Sequence, residues 1–219
     1  MSKMRYAFYI SGRSGRLTKA IQQFGEDILE EIILVVSDAK VEPSIQSLLK
    51  QEHIAFATID DAGLAGTRKE KNLQISNYIL DQLEKNNIDY MFSFGSHILS
   101  GELLERYSYR LINFHPAILP MFPGVKSIDQ AVNYGNVLLV GNTAHFIDAG
   151  MDTGKIIMQS VIPVKHFLDT QDYDVVLDLQ IEMLNKLIRV IDDNRLHVIN
   201  DKVIIDGADY SRNVIFPEI

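Results

Sequence analysis

The sequence lacks features that define several classes of protein. It contains no cysteine, which excludes disulfide bonds, cysteine-based zinc sites and thiol nucleophiles. No apolar run reaches the roughly 20 residues that a membrane-spanning helix requires. Basic residues are outnumbered by acidic residues, 21 to 29, and the formal net charge is −8. We therefore expect no general binding surface for nucleic acids or anionic membranes.

A targeting signal is also missing from the N-terminal residues. They lead into an apolar stretch of only about six residues and show no cleavage-site pattern. We expect a cytoplasmic protein with small-molecule partners and with neither a nucleic-acid nor a membrane partner.

What the sequence does contain is the size and apolar content of a globular domain. It has 219 residues, of which 47% are hydrophobic and 23% are charged, values that are typical of a folded domain with a sizeable core. Internal repeats, low-complexity segments and linker-like boundaries are not evident. We predict a single domain over residues 1–219, with a small C-terminal hairpin at about residues 196–206.

Short apolar strands alternate with helical patterns through the first half of the chain. The predicted strands are residues 6–10, 31–38, 54–59, 89–95 and 109–114. The predicted helices are residues 17–24, 43–49 and 73–83, and residues 61–72 are predicted to form a polar loop. This alternation predicts an α/β fold with a mostly parallel, doubly wound sheet and helices on both faces.

The second half of the chain has a different pattern. Residues 142–147 and 156–164 read as strands separated by only a loop, so we expect them to pair antiparallel. Residues 174–192 form an amphipathic helix by their apolar spacing. Two short apolar runs, residues 196–199 and 203–206, then predict the terminal hairpin.

The candidate catalytic residues cluster around Asn113-Phe114-His115-Pro116. Strand side chains alternate, so Asn113 and His115 share one face while Phe114 points into the core. Pro116 ends the strand and leaves both polar groups at its carboxyl end, where parallel sheets bind ligands. An amide beside an imidazole, with a carboxylate such as Asp152 to orient it, suits acyl transfer.

Two longer motifs surround these residues and carry a family resemblance. They are INFHPAILPMFPG at residues 112–124 and TAHFIDAGMDTGKII at residues 143–157. Together they resemble the signatures of the 10-formyltetrahydrofolate-dependent formyltransferases, in particular the glycinamide ribonucleotide formyltransferase type. The resemblance extends more weakly from about residue 5 to about residue 200.

The resemblance implies a Rossmann-like sheet and formyl transfer from 10-formyltetrahydrofolate to a primary amine. Asn113 would polarise the formyl carbonyl and hold its oxyanion. His115 would stabilise that oxyanion and shuttle protons between the two nitrogens, and Asp152 would orient His115. The resemblance implies no metal, and both a monomer and a homodimer remain open.

Two segments would bind the folate, mainly through backbone groups that recognise the pterin. The residues at the matching positions are Ser96, His97, Ile98 and Leu99 in the first segment, and Ile147, Asp148, Ala149, Gly150 and Met151 in the second.

The acceptor amine would contact Pro116 and the turn that follows the first strand. That turn consists of Ser11, Gly12, Arg13, Ser14, Gly15 and Arg16. Gly12 and the following helix N-terminus are compatible with an anion cradle. The glycinamide ribonucleotide enzymes carry asparagines where this turn has its two arginines. We therefore favour slightly a nucleotide-linked amino sugar over glycinamide ribonucleotide, although both arginines could equally be solvated.

Two other functional classes remain open. A 10-formyltetrahydrofolate hydrolase could use the same three groups with water in place of the amine. Such hydrolases usually carry a regulatory domain first, whereas this chain starts at the first strand. A non-catalytic folate- or nucleotide-binding module would have no need of Asn113, His115 and Asp152 together. We expect His145, which lies on an apolar strand, to be structural.

Overall fold

The computed structural model describes residues 3–170 and 172–211. Its strands, in chain order, are β1 (Tyr6–Ile10), β2 (Ile32–Ser37), β3 (Ala55–Thr58), β4 (Tyr90–Phe94), β5 (Leu111–His115), β6 (Leu139–Phe146), β7 (Ile156–Pro163), β8 (Leu196–Ile199) and β9 (Lys202–Ile205). Its helices are α1 (Gly15–Gln23), α2 (Glu26–Leu29), α3 (Pro43–Gln51), α4 (Arg68–Lys85), α5 (Glu102–Arg106), α6 (Ser127–Tyr134), α7 (Val164–Thr170) and α8 (Asp174–Asp192), with a 3₁₀ turn at Asp61–Gly63.

The main sheet has the strand order β3-β2-β1-β4-β5-β6-β7. β1 to β5 pair in parallel, whereas β6 and β7 pair antiparallel to their neighbours. β8 and β9 form a separate antiparallel hairpin. The predicted α/β class, the mostly parallel sheet and the antiparallel C-terminal strands are confirmed. The chain reverses direction across the sheet between β1 and β4, a position where open α/β sheets form a ligand crevice at the carboxyl ends of their strands.

Helices cover both faces of this sheet because its strands are apolar on both sides. α1, α3 and α8 pack on one face against Phe8, Phe92 and Phe114. α4 and α5 pack on the other face against Tyr9 and Leu111. Each fully buried aromatic or aliphatic side chain contributes about 1.5–3 kcal/mol of hydrophobic stabilisation. The alternation along β5 confirms that Phe114 faces the core.

The predicted polar loop at residues 61–72 is wrong in its second half, because α4 already begins at Arg68. The Thr67 side chain accepts a hydrogen bond from the Glu70 N–H, and the Glu70 carboxylate accepts one from the Thr67 N–H. This capping box is visible in the sequence as Thr-x-x-Glu. Apolar periodicity misses it, because the first turn of the helix is exposed.

Four short helices, α2, α5, α6 and α7, were not predicted. They have four to eight residues, too few for an apolar period to stand out. β5 starts at Leu111 rather than at Tyr109, whose φ of 57° is left-handed. No helix within the described ranges is long and apolar enough to cross a membrane.

Candidate active site

A cleft of about 860 Å³ opens at the carboxyl ends of β4 and β5. Its volume lies within the range of sites for small molecules and cofactors. Asn113, His115 and Asp152, the three residues predicted to be catalytic, all line it. His145, which was expected to be structural, lines it as well.

Asn113 and His145 contact each other across two strands. They lie directly opposite in the pairing of β5 with β6, and Asn113 Nδ2 is 3.2 Å from His145 Nε2. His145 Nδ1 donates to the Phe146 carbonyl at 2.9 Å, so a neutral ring leaves Nε2 free to accept from the Asn113 amide. That contact engages one N–H of the Asn113 amide and leaves the second N–H to donate to another acceptor. His145 therefore orients the amide, a role that only the strand register exposes.

His115 is buried and faces acceptors at both ring nitrogens. Nδ1 is 3.4 Å from Asp152 Oδ2, and Nε2 is 3.0 Å from the carbonyl oxygen of Phe122. Because both neighbours are oxygen acceptors, the ring presents an N–H to both of them only when each nitrogen carries a proton. The site can therefore hold a charged imidazole beside a carboxylate.

Asp152 occupies a constrained loop between β6 and β7. Its φ is 54°, a left-handed conformation that Asp and Asn tolerate better than most residues. Gly154 follows, and a Cβ there would lie 1.7 Å from the Phe146 carbonyl oxygen, so the chain can approach β6 so closely only with glycine. The Gly124 N–H donates to Asp152 Oδ2 at 2.8 Å.

The electrostatics of the site keep Asp152 ionised. Burial alone raises the pKa of its carboxyl, but a hydrogen bond from His145, the Gly124 N–H and the charge of His115 outweigh burial. The net result is a pKa below the ordinary value of 3.8. His145 Nε2 lies 3.6 Å from Asp152 Oδ1 and donates to it only when the ring is charged, whereas the neutral ring accepts from Asn113.

The two predicted folate segments line the same cleft. All four residues of the first segment, 96–99, contribute to its wall, as do Ile147, Asp148, Gly150 and Met151 of the second. Ala149 is an exception, because it is exposed at the tip of its loop and lies outside the lining. Asp148 Oδ1 holds this loop by accepting from the Gly150 N–H at 3.0 Å and the Thr153 hydroxyl at 2.7 Å.

The residues predicted to bind the acceptor amine fall into two groups, those that line the cleft and those that do not. Arg16 and Pro116 line the cleft, whereas Ser11, Gly12, Arg13, Ser14 and Gly15 do not. Arg13 points away, with a side chain that is 86% exposed and an Nε 2.6 Å from Glu42. Ser14 caps α1 by accepting from the Leu17 N–H. The prediction that this whole turn contacts substrate is therefore not matched by the geometry.

Arg16 is held in place on the cleft wall. Its guanidinium stacks 4.8 Å from the centre of the Phe94 ring and donates to the Phe114 carbonyl at 3.2 Å. Burial lowers the pKa of Arg16 to about 10, so the group stays charged at neutral pH. A fixed positive charge thus lies beside the carboxyl end of β5.

Gln180 is a cleft residue that the sequence analysis missed. It is buried on α8, donates to Asn142 Oδ1 at 2.9 Å, and its Oε1 is 3.4 Å from Arg16 Nη1. Its signal in the sequence is a polar residue on the otherwise apolar face of a helix. Within residues 3–170 and 172–211, no group of three or more His, Asp or Glu side chains is arranged to hold a metal ion.

Comparison with known proteins gives consistent matches. The family model described as formyl transferase matches residues 4–187. The phosphoribosylglycinamide formyltransferase of Bacillus subtilis is 40% identical over 87 residues, which cover 39% of this chain and 44% of that protein. The formyltetrahydrofolate deformylase of Escherichia coli is 32% identical over 130 residues, 59% of this chain and 44% of that protein. The match thus spans less than half the length of each of these two relatives.

Comparison with solved structures covers more of this chain. The phosphoribosylglycinamide formyltransferase from Bacillus halodurans superimposes with a TM-score of 0.68 and 28% identity. The overlap covers 86% of this chain and 97% of that one.

Proposed function

Because the chain belongs to the formyl transferase family, whose model spans residues 4–187, we propose that it transfers a formyl group from 10-formyltetrahydrofolate to a primary amine. The observation that carries this proposal is the contact of Asn113, His145, Asp152 and His115 at one end of β5. These groups can stabilise an oxyanion and move a proton, which are the two tasks of acyl transfer.

The first step is attack of the amine nitrogen on the formyl carbon. A new C–N bond forms and the carbonyl oxygen becomes an oxyanion. The Asn113 amide N–H that is not engaged by His145 donates to this oxygen. An oxyanion donor of this kind typically contributes ~10²–10³ in rate.

The second step is collapse of the tetrahedral intermediate. The bond from the formyl carbon to folate N10 breaks, N10 gains a proton, and the attacking nitrogen loses one. His115 carries this proton on Nε2, the ring nitrogen that does not face Asp152. Asp152 keeps the ring oriented through Nδ1.

The acceptor amine carries an anionic group in this proposal, because the charged Arg16 guanidinium lines the cleft. Phosphoribosylglycinamide is the first candidate, since relatives at 40% and 28% identity are named for its formylation. The nucleotide-linked amino sugar that the sequence favoured has weaker support. Its argument was that Arg13 or Arg16 contacts phosphate, and of these two Arg13 faces Glu42 instead.

A second candidate function is hydrolysis of 10-formyltetrahydrofolate. It is favoured by the 32% identity to a formyltetrahydrofolate deformylase. Water would then replace the amine, and Asn113 and His115 would act in the same way. The requirement for an amine separates the two reactions.

The test monitors consumption of 10-formyltetrahydrofolate by the wild-type protein through the change in folate absorbance. The protein is assayed without an amine, with phosphoribosylglycinamide, and with a panel of nucleotide-linked amino sugars. We expect amine-dependent turnover, greatest with phosphoribosylglycinamide. In His115→Ala, kcat falls ~10²–10⁴-fold, with folate affinity nearly unchanged. Formate release without amine would establish the hydrolase, and folate binding without turnover would leave only a binding module.

A further inference from the structure

A buried carboxylate lies between the end of β1 and the segment of residues 96–99. Asp38 follows β2 and is only 2% exposed. It accepts hydrogen bonds from the Tyr9 hydroxyl and from Ser11 Oγ, the latter at 2.8 Å. A buried charge requires such partners, so Asp38 is a fixed point between β1 and the loops around it.

The donor-binding segment, residues 96–99, is attached to this fixed point through its backbone. The Ser96 N–H donates to Ser11 Oγ at 2.9 Å, and Ser11 Oγ in turn donates to Asp38 at 2.8 Å. These two bonds hold the start of the segment against the end of β1.

The His97 side chain adds three contacts from three other elements. Its Nδ1 lies 2.8 Å from Asn72 Oδ1 on α4. Its Nε2 lies 3.7 Å from Asp38 Oδ2 and 3.6 Å from Asp61 Oδ2, which belongs to the 3₁₀ turn. Lys71 also faces Asp61, with Nζ 3.5 Å from Oδ1. All three partners, Asn72, Asp38 and Asp61, offer oxygen acceptors. They lie at both nitrogens of the His97 ring.

We propose that His97 is a positioning residue for the formyl donor. Its side chain is only 17% exposed and lies near Asn72, Asp38 and Asp61, while residues 96–99 line the cleft. The donor then meets a segment that is already ordered, which lowers the entropy cost of binding. This inference rests on the proposed function, because it takes the donor to be a folate.

Loss of the imidazole leaves the start of the segment tied by the Ser96–Ser11 bond alone, whereas Leu99 at its other end stays buried in the core. The segment then has to be ordered by the donor itself, so donor binding weakens. Asn113, His115 and Asp152 lie on other elements and keep their contacts, so kcat and the acceptor KM change little.

The experiment compares His97→Ala, Asn72→Ala and His97→Gln with wild type. Equilibrium titration with tetrahydrofolate gives a Kd that does not depend on catalysis, and steady-state kinetics give donor KM, acceptor KM and kcat. We expect donor KM and tetrahydrofolate Kd to rise roughly tenfold in His97→Ala, the scale of one lost hydrogen bond. Asn72→Ala shifts both constants in the same direction, and His97→Gln, which keeps an N–H donor, recovers part of the loss.

His197→Ala is the matched control, because His197 pairs with Asp206 on the β8–β9 hairpin, at 3.0 Å, outside the cleft lining. It should leave all four constants unchanged. Wild-type constants in soluble His97→Ala, or in Asn72→Ala should His97→Ala not fold, or equal losses for donor and acceptor, would overturn the positioning role alone. Wild-type protein that does not bind tetrahydrofolate would overturn the proposed function and this inference together.

Discussion

Asp152 combines an unusual backbone conformation with a charge that the proposed mechanism uses. Its φ of 54° suits Asn as well as Asp, so Asp152→Asn removes the charge without new backbone strain. We expect turnover to fall about 10²-fold or more, because His115 loses the partner that orients it. Steady-state kinetics measure this, with the exposed Asp169→Asn as a control. Wild-type turnover in Asp152→Asn would mean that this carboxylate does not act through His115.

The same substitution predicts a change in acid stability. The lowered pKa of Asp152 means that the folded protein binds this proton less tightly than the unfolded chain. The carboxylate therefore stabilises the fold above its ordinary pKa of 3.8, and this stabilisation disappears as pH falls through the lowered pKa. Urea unfolding across this range should show wild type losing stability more steeply than Asp152→Asn. Parallel curves would contradict the pKa shift.

Two arginines of one turn provide an internal comparison. Arg16 lines the cleft, whereas Arg13 pairs with Glu42 in solvent. Arg16→Ala should raise the acceptor KM about tenfold or more, the scale of a hydrogen bond to a charged group, and leave the donor KM unchanged. Arg13→Ala should leave both constants unchanged. Equal effects of the two substitutions on the acceptor would show that Arg16 makes no specific contact.

At the scale of secondary structure elements, the N-terminus of α4 is stabilised by its own sequence. Thr67→Ala removes the side chain that accepts from the Glu70 N–H, so we expect a loss of about 1 kcal/mol in the free energy of unfolding. Urea denaturation measures it. Ser47→Ala in α3 is the control, since Ser47 bonds only to the Pro43 carbonyl within its own helix. A loss of the same size in both variants would argue against a specific capping effect.

At the scale of the whole molecule, an acidic pair links distant parts of the chain. Tyr6 on β1 donates to Asp192 at the end of α8, and Glu31 lies close by. Burial, together with repulsion from Asp192, raises the pKa of Glu31 from 4.5 to about 7. The folded protein therefore binds this proton more tightly than the unfolded chain.

This shift predicts that stability decreases as pH rises from about 4.5 to about 7. Glu31→Gln should flatten that decrease, because it removes the titrating group. Denaturant midpoints measured across this interval provide the test. Glu30→Gln, a neighbour that pairs with Lys3 in solvent, should retain the wild-type slope. If Glu31→Gln also retains it, another group is responsible for the pH dependence.

Local patterns determined the sheet, the main helices and the core of the site. Short apolar runs predicted every strand of the main sheet, and the two-residue spacing of Asn113 and His115 predicted one shared face. These features depend on backbone geometry within a few residues, which a sequence displays directly. The capping box of α4 was also visible, because it too is local.

Contacts between distant segments were decided only by the tertiary structure. His145 faces Asn113 because of the register of β5 with β6, and Gln180 reaches Arg16 because of how α8 lies on the sheet. His97 meets Asp38 and Asp61 only where three separate elements converge. Register, helix rotation and loop path each depend on the packing of the whole core, so residue spacing along the chain does not encode them separately.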